Sequence, residues 1–182
     1  MKEKIIDKVE FPEGFEFNFE GSKVSVSKSG QHLNRIFDLK NIKLKKQGNE
    51  LIIESEKATK RERKMIKTIV AHVNNMIKGL NEKFEYKLEI VYVHFPITLE
   101  HHKDKHELII KNFLGEKKPR VCKLVPGSEL EINKNIIIIK AHSKEVAGQT
   151  AANLEKATKI RKRDRRKFQD GIFIVEKNRR PI

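Results

Sequence analysis

Tryptophan is absent from this 182-residue chain, and cysteine occurs once, at Cys122. A lone cysteine makes no internal disulfide and cannot by itself build a zinc knuckle. Within Arg-Val-Cys-Lys-Leu, where polar and apolar residues alternate, it reads as core filler, as free thiols commonly are. Long hydrophobic runs are missing too. The longest purely aliphatic one covers residues 136–139, far short of a membrane span. The opening Met-Lys-Glu-Lys-Ile-Ile-Asp carries charge where a signal peptide needs an apolar stretch, so a soluble, intracellular protein without a membrane partner is expected. There is no phosphate-cradling glycine motif, no Gly-x-Ser-x-Gly and no Cys/His pair of known metal spacing. Acidic charge is also short: 25 Asp and Glu against 40 Lys and Arg leave +15, more than solubility needs, which points to a polyanionic partner.

The excess is uneven. Residues 1–81 hold 17 basic and 11 acidic side chains, residues 82–155 hold 12 and 11, and residues 156–182 hold 11 and 3, so over half of it lies in the last 27 residues. The length suits one ordinary domain or two small ones with thin cores.

A repeat favours two. Phe15, Phe17 and Phe19, then Val24 and Val26, alternate around Glu20-Gly21-Ser22, the pattern of a half-buried hairpin. A second alternating stretch runs through Ile36, Phe37, Ile42 and Leu44 to a turn at Gln47-Gly48-Asn49, then to Leu51-Ile52-Ile53. A helix follows: Thr59 and Glu62 have capping-box spacing, and Met65, Ile66, Ile69, Val70, Val73, Met76 and Ile77 recur at steps of three and four. Gly79 is a candidate stop, and the linker is placed at 79–83. Shifted by about 85 positions, Ile36-Phe37 falls on Val121-Cys122 and Leu51-Ile52-Ile53 on Ile136-Ile137-Ile138, which is what a duplication leaves. Residues 84–98 alternate as a strand, and a second helix starts at Ser143 with Val146, Ala147, Thr150, Ala151 and Leu154 inward. The expected class is α+β: two tandem similar domains, 1–81 and 82–182, each a small antiparallel sheet covered by one helix, plus a basic C-terminal extension from about 156 to 182.

Several features can carry chemistry. Residues 159–167 place seven cations in nine positions, among them Arg161, Lys162, Arg163, Arg165, Arg166 and Lys167. Crowded on a helix these would repel one another unless phosphates lay between them. A solvated tail is the alternative, against which Phe168 and the β-like run 172–175 offer an anchor. Arginine's planar fork suits phosphate. The loop of Lys111, Asn112, Lys117, Lys118 and Arg120, broken by Gly115 and Pro119, can meet a phosphate backbone or be a hairpin tip kept soluble by charge. Cations at the start of the first helix oppose its dipole, and a plain solvated face explains them as well as an anion does. Gly148 inside the second helix implies close approach, either of RNA or of the sheet beneath. His94, His101, His102 and His106 with Asp104 and Glu107 lack the spacing of a helical zinc pair. They give catalysis no foothold; a metal enzyme built on them, and a DNA-associated basic protein, are the rivals to RNA binding.

Several stretches carry a resemblance. Phe11-Pro12-Glu13-Gly14, Lys28-Ser-Gly-Gln-His-Leu-Asn-Arg-Ile-Phe37, Tyr92-Val-His-Phe-Pro-Ile97, Asn112-Phe-Leu-Gly-Glu-Lys117, Ser143-Lys-Glu-Val-Ala-Gly-Gln-Thr-Ala-Ala152 and Asp164-Arg-Arg-x-Phe-x-Asp-Gly171 follow in order over nearly the whole chain. Together they resemble the archaeal and eukaryotic branch of large-subunit ribosomal protein six, called protein nine in eukaryotes. The resemblance implies a tandem pair of α+β domains with no catalytic residues and no cofactor. It implies large-subunit ribosomal RNA and neighbouring large-subunit proteins as partners, in the cytoplasmic ribosome, close to the sarcin-ricin loop and the base of the factor-binding stalk. Carried over by position, the expected RNA contacts are Asn112, Lys117, Lys118 and Arg120 in the loop, Lys144 and Gln149 on the second helix, and Arg161, Lys162, Arg163, Arg165 and Arg166 in the tail; Lys111 and Lys167 join the expected contacts on the charge pattern alone. That tail is expected to become ordered on RNA.

Overall fold

Strand-forming alternation dominates both halves of the chain, and each half closes around its own apolar cluster. A computed structural model describes residues 3–164 and 166–182. Its backbone divides into two compact units, Met1–Glu82 and Lys83–Ile182.

The first unit runs β1 (Glu3–Glu10), β2 (Glu16–Glu20), β3 (Lys23–Lys28), β4 (Gln31–Ile36), β5 (Lys43–Gln47), β6 (Glu50–Ala58) and α1 (Lys60–Asn81). It contains two antiparallel sheets, β1-β6-β5 and β2-β3-β4, where one sheet was expected. The cause is visible in the burial: α1 lies against β1 and β6 and also reaches β3 and β4. Its inner face, with Ile66, Ile69 and Val73 buried, therefore meets Leu51 and Ile53 of one sheet and Val24 and Val26 of the other within one cluster. At the start of α1 the capping box is present: the Thr59 side chain accepts from the helix backbone, and Glu62 accepts from the Thr59 N–H. The Glu62 carboxylate also accepts from the Thr59 hydroxyl, and that bond first, then the one from the Thr59 N–H, holds its pKa at about 2. Gly79 does not stop the helix. It is buried on the inner face, and the helix continues to Asn81 with Glu82 as its C-cap.

The second unit runs β7 (Phe84–Val91), β8 (Thr98–His102), β9 (Glu107–Lys111), a 3-10 turn at Phe113–Gly115, β10 (Arg120–Lys123), β11 (Glu129–Asn133), β12 (Ile136–Ala141), α2 (Lys144–Ala157), β13 (Gly171–Lys177) and β14 (Arg180–Pro181). Strands β8, β9 and β10 form one sheet, and the other has the order β11-β12-β7-β13-β14. Up to the helix, the succession repeats that of the first unit: a lone strand, a three-strand meander, a hairpin, a helix. Likewise β12 sits between β7 and β11 as β6 sits between β1 and β5. Helix α2 starts at Ser143, whose hydroxyl accepts from Val146 N, and buries Ala147, Thr150, Ala151 and Leu154. Val146 is only partly buried. A Cβ on Gly148 would lie 3.3 Å from Tyr86 Oη, so the close approach its presence implied is to the sheet beneath.

Two further expectations change here. The strand starting at Phe84 ends at Val91, and residues 92–97 form a loop, because the amides of Val93 and His94 are taken by the Asp170 carboxylate and not by a neighbouring strand. The C-terminal segment is not a free extension. Strand β13 pairs antiparallel with β7, placing Ile172 opposite Ile90 with its side chain fully buried. Among the described residues no helix is long and apolar enough to cross a membrane.

Candidate nucleic-acid interface

Insertion of β13 beside β7 turns the most basic stretch of the chain into a loop held at both ends. At its start, Thr158 is 2% exposed, and its Oγ1 accepts from Ile172 N at 2.9 Å, tying the end of α2 to the beginning of β13. At its far end, Asp170 is 1% exposed. Its Oδ1 accepts from the backbone N–H groups of Val93 (2.8 Å) and His94 (3.2 Å), and its Oδ2 lies 2.7 Å from His94 Nδ1. Burial pushes this carboxyl's pKa up, but the bonds from Val93 N, the His94 ring and His94 N outweigh it and hold the acid below the ordinary aspartate value. The imidazole of His94 also stacks on Phe168 at 4.9 Å between centroids.

A second clamp joins the 112–119 loop to the same segment. Arg120 grips Glu116 with both arms of its fork, Nε to Oε2 at 2.8 Å and Nη2 to Oε1 at 2.6 Å. Its Nη1 donates to Ala157 O at 2.9 Å and Lys159 O at 3.4 Å, and the guanidinium lies 4.2 Å from the Phe113 ring centroid. The loop also meets residues 92–97: Asn112 Nδ2 donates to Pro96 O at 3.0 Å. Gly115, at φ +75°, adopts a backbone that side chains resist, and a Cβ there would press on the Phe95 ring at 3.3 Å.

The loops 92–97 and 112–119 and the segment 159–170 thus form one surface. Its charge is exposed: Lys117, Lys118, Arg161, Lys162, Arg163, Arg166 and Lys167 all face solvent. Arg163 stands 5.0 Å from the centroid of Phe168. Arg166 pairs with Asp164 at 3.0 Å, and the bond from its guanidinium lowers the pKa of that acid. Arg165 lies outside the described residues. Between α2 and this segment runs a cleft of about 710 Å³, with Ile160, Phe168 and Phe173 among its walls and Lys156 and Lys159 beside them.

The other expected contacts divide. Lys111 is exposed and paired with Glu100 at 2.5 Å, an interaction worth little in water. Asn112 spends one donor inside the protein. Arg120 commits its fork to Glu116 and to two carbonyls, so its place in this geometry is that of a clamp. Lys144 and Gln149 are exposed on α2, the latter donating to Asn153 Oδ1 at 2.8 Å. Lys144 stands at the opposite end of the helix from the basic segment, about 20 Å away at the usual rise, and does not join the cluster.

His101, His102 and His106 sit on the β8–β9 hairpin, apart from the use made of His94 by Asp170. Burial, then Lys103, lowers the pKa of His101. Among the described residues no three His, Cys, Asp or Glu side chains are arranged to hold a metal. Sequence reasoning missed residues 92–95, where Tyr92, Val93 and Phe95 are exposed at 41%, 70% and 45%. Pro96, inside the alternating stretch and five residues past the observed strand end at Val91, was the available signal for a loop.

Comparison with known proteins finds relatives along nearly the whole chain. The profile of the family "Ribosomal protein L6" matches residues 103–171. The large ribosomal subunit protein uL6 of Methanococcus vannielii is 41% identical over 95% of this chain and 94% of its own length. That of Aeropyrum pernix is 39% identical over 95% and 94%, and that of Methanothrix thermoacetophila 38% identical over 97% and 99%. With such identity sustained from end to end, the chain belongs to the uL6 family of large-subunit ribosomal proteins.

Proposed function

We propose that the chain binds large-subunit ribosomal RNA through the surface made by loops 92–97 and 112–119 and segment 159–170, near the sarcin-ricin loop and the base of the factor-binding stalk. Membership of the family makes it a structural constituent of the large subunit, without enzymatic activity, taking part in translation. Residues 1–81 and 82–182 act as two domains in this reading, and the second carries the RNA surface beside neighbouring large-subunit proteins.

The observation that carries the reading is the anchored basic segment. Exposed cations on a backbone held by Thr158, Asp170 and Arg120 face a phosphate chain with part of their ordering cost already met by folding. Each neutralised phosphate releases counterions, giving a log–log salt slope of about −0.7 to −0.9 per contact. Without RNA, the same charges gain little from being gathered in one place.

The test is binding to a ribosomal RNA fragment containing the sarcin-ricin region, over a salt series, with duplex DNA as competitor. The intact chain is compared with Arg161→Ala/Lys162→Ala/Arg163→Ala. Ending the chain at Ala157 is the wrong variant, since it deletes β13 and empties the Ile172 position of the core. RNA preference with a shallower slope in the triple variant is expected. Equal preference for DNA, or an unchanged slope, refutes the assignment.

A further inference from the structure

Loop 92–97 exposes Tyr92, Val93 and Phe95 to solvent, although large apolar side chains gain from leaving water. The loop is not loose. Asp170 holds the amides of Val93 and His94, Asn112 holds Pro96 O, and His94 is stacked on Phe168. The Phe95 ring lies against Gly115, where the missing side chain lets it sit close to backbone, and still leaves 45% of the residue exposed. Apolar groups are thus presented outward by a pinned backbone, on a surface that also carries the exposed cations Lys117, Lys118 and Arg163.

We propose that this loop is a stacking platform for unpaired nucleobases, so that the RNA surface reads a single-stranded loop or bulge and not a regular duplex. The inference rests on the RNA-binding reading above and sharpens it. Within a duplex the flat faces of the bases are covered by their neighbours, and a protein meets phosphates, sugars and groove edges. Bases that leave the stack offer those faces, which are apolar, planar and well matched by Tyr92 and Phe95, while the flanking cations hold the phosphates on either side. Anchoring of the loop means that little motion must be frozen when a base docks.

The experiment compares the full chain with Tyr92→Leu and Phe95→Leu, which keep apolar bulk against the fold and remove the aromatic face. Two RNAs are used: a ribosomal RNA hairpin with an unpaired loop, and the same stem closed as continuous duplex. Circular dichroism and exchange of the Val93 amide confirm that each variant retains its structure. Each substitution is expected to weaken hairpin binding about ten-fold, from the usual worth of one stacked base, with the salt slope and duplex binding unchanged. Retention of wild-type hairpin affinity by both variants overturns the platform while leaving RNA binding intact. Failure of the wild type to prefer RNA overturns the underlying reading instead. Wild-type RNA affinity combined with loss of incorporation into large subunits makes the patch a protein contact, which also overturns the proposal.

Discussion

Replacing Asp170 by alanine removes the carboxylate whose hydrogen bonds tie the basic segment to the 92–97 loop, leaving the Phe168–His94 stacking. Three hydrogen bonds to a buried carboxylate disappear: those from Val93 N, His94 N and the His94 ring. Bonds to a charged partner contribute about 1.5 to 3 kcal/mol each. Val93 and His94 are exposed, however, so their freed donors regain water, and the expected loss is about 2 to 4 kcal/mol rather than the full sum. Asparagine keeps an acceptor for the two amides at roughly half the strength of the charged one, so Asp170→Asn should cost about 1 kcal/mol. Urea unfolding followed by circular dichroism measures the totals. Hydrogen exchange at the Val93 and His94 amides reads the same contact locally, which matters in a chain of two compact units. RNA affinity should fall in parallel, because the cations and the loop lose their mutual alignment.

Acid tests the same latch. The Asp170 carboxyl is held below its ordinary 3.8, so the latch contributes in full above that value and is lost only as the pH falls through the lowered folded one. Asp170→Asn should abolish this acid-dependent component. Wild-type exchange rates at both amides in Asp170→Ala, with an unmoved midpoint, would refute the reasoning.

Arg120→Lys keeps the charge but loses the fork; amides of residues 112–119 should exchange faster while the salt slope of RNA binding stays the same, whereas a slope shallower by about one would put Arg120 on a phosphate. Cys122 is 4% exposed and burial pushes its thiol up to about 11, so iodoacetamide at pH 8 should modify it only in denaturant. Comparable labelling of the native chain would contradict that burial. Leu88, fully buried on β7 between its partners Ile137 and Ile174, should cost about 2 to 5 kcal/mol as Leu88→Ala, read from the urea midpoint of the second unit.

Local chemistry made much of the fold legible. The hairpin of residues 15–27, the turn at Gly48, the Thr59 and Ser143 caps and the inward stripes of both helices follow from alternation, capping geometry and steps of three and four. Strand β1 was overlooked because its register on β6 leaves Ile6 exposed at 47% and Val9 buried, diluting the alternation in Glu-Lys-Ile-Ile-Asp-Lys-Val-Glu. The second sheet of each unit escaped notice for a related reason: a strand's period tells that one face is buried, not against which neighbour. For the interface, the cations were readable as a composition. Their division into side chains left exposed, such as Arg161, and internal clamps, such as Arg120, was not, since both look alike in sequence.

The sequence by itself determined the class, two α+β halves built to one plan, and the sign and position of the charge, because periodicity and composition are local properties. Only tertiary structure decided that the basic segment is a loop and not a tail. That outcome depends on β13 finding β7, some eighty residues away, and on Asp170 reaching back to Val93 and His94. Contacts between positions so far apart leave no period in the sequence, and they are what gathers Tyr92, Phe95 and the exposed cations onto one face.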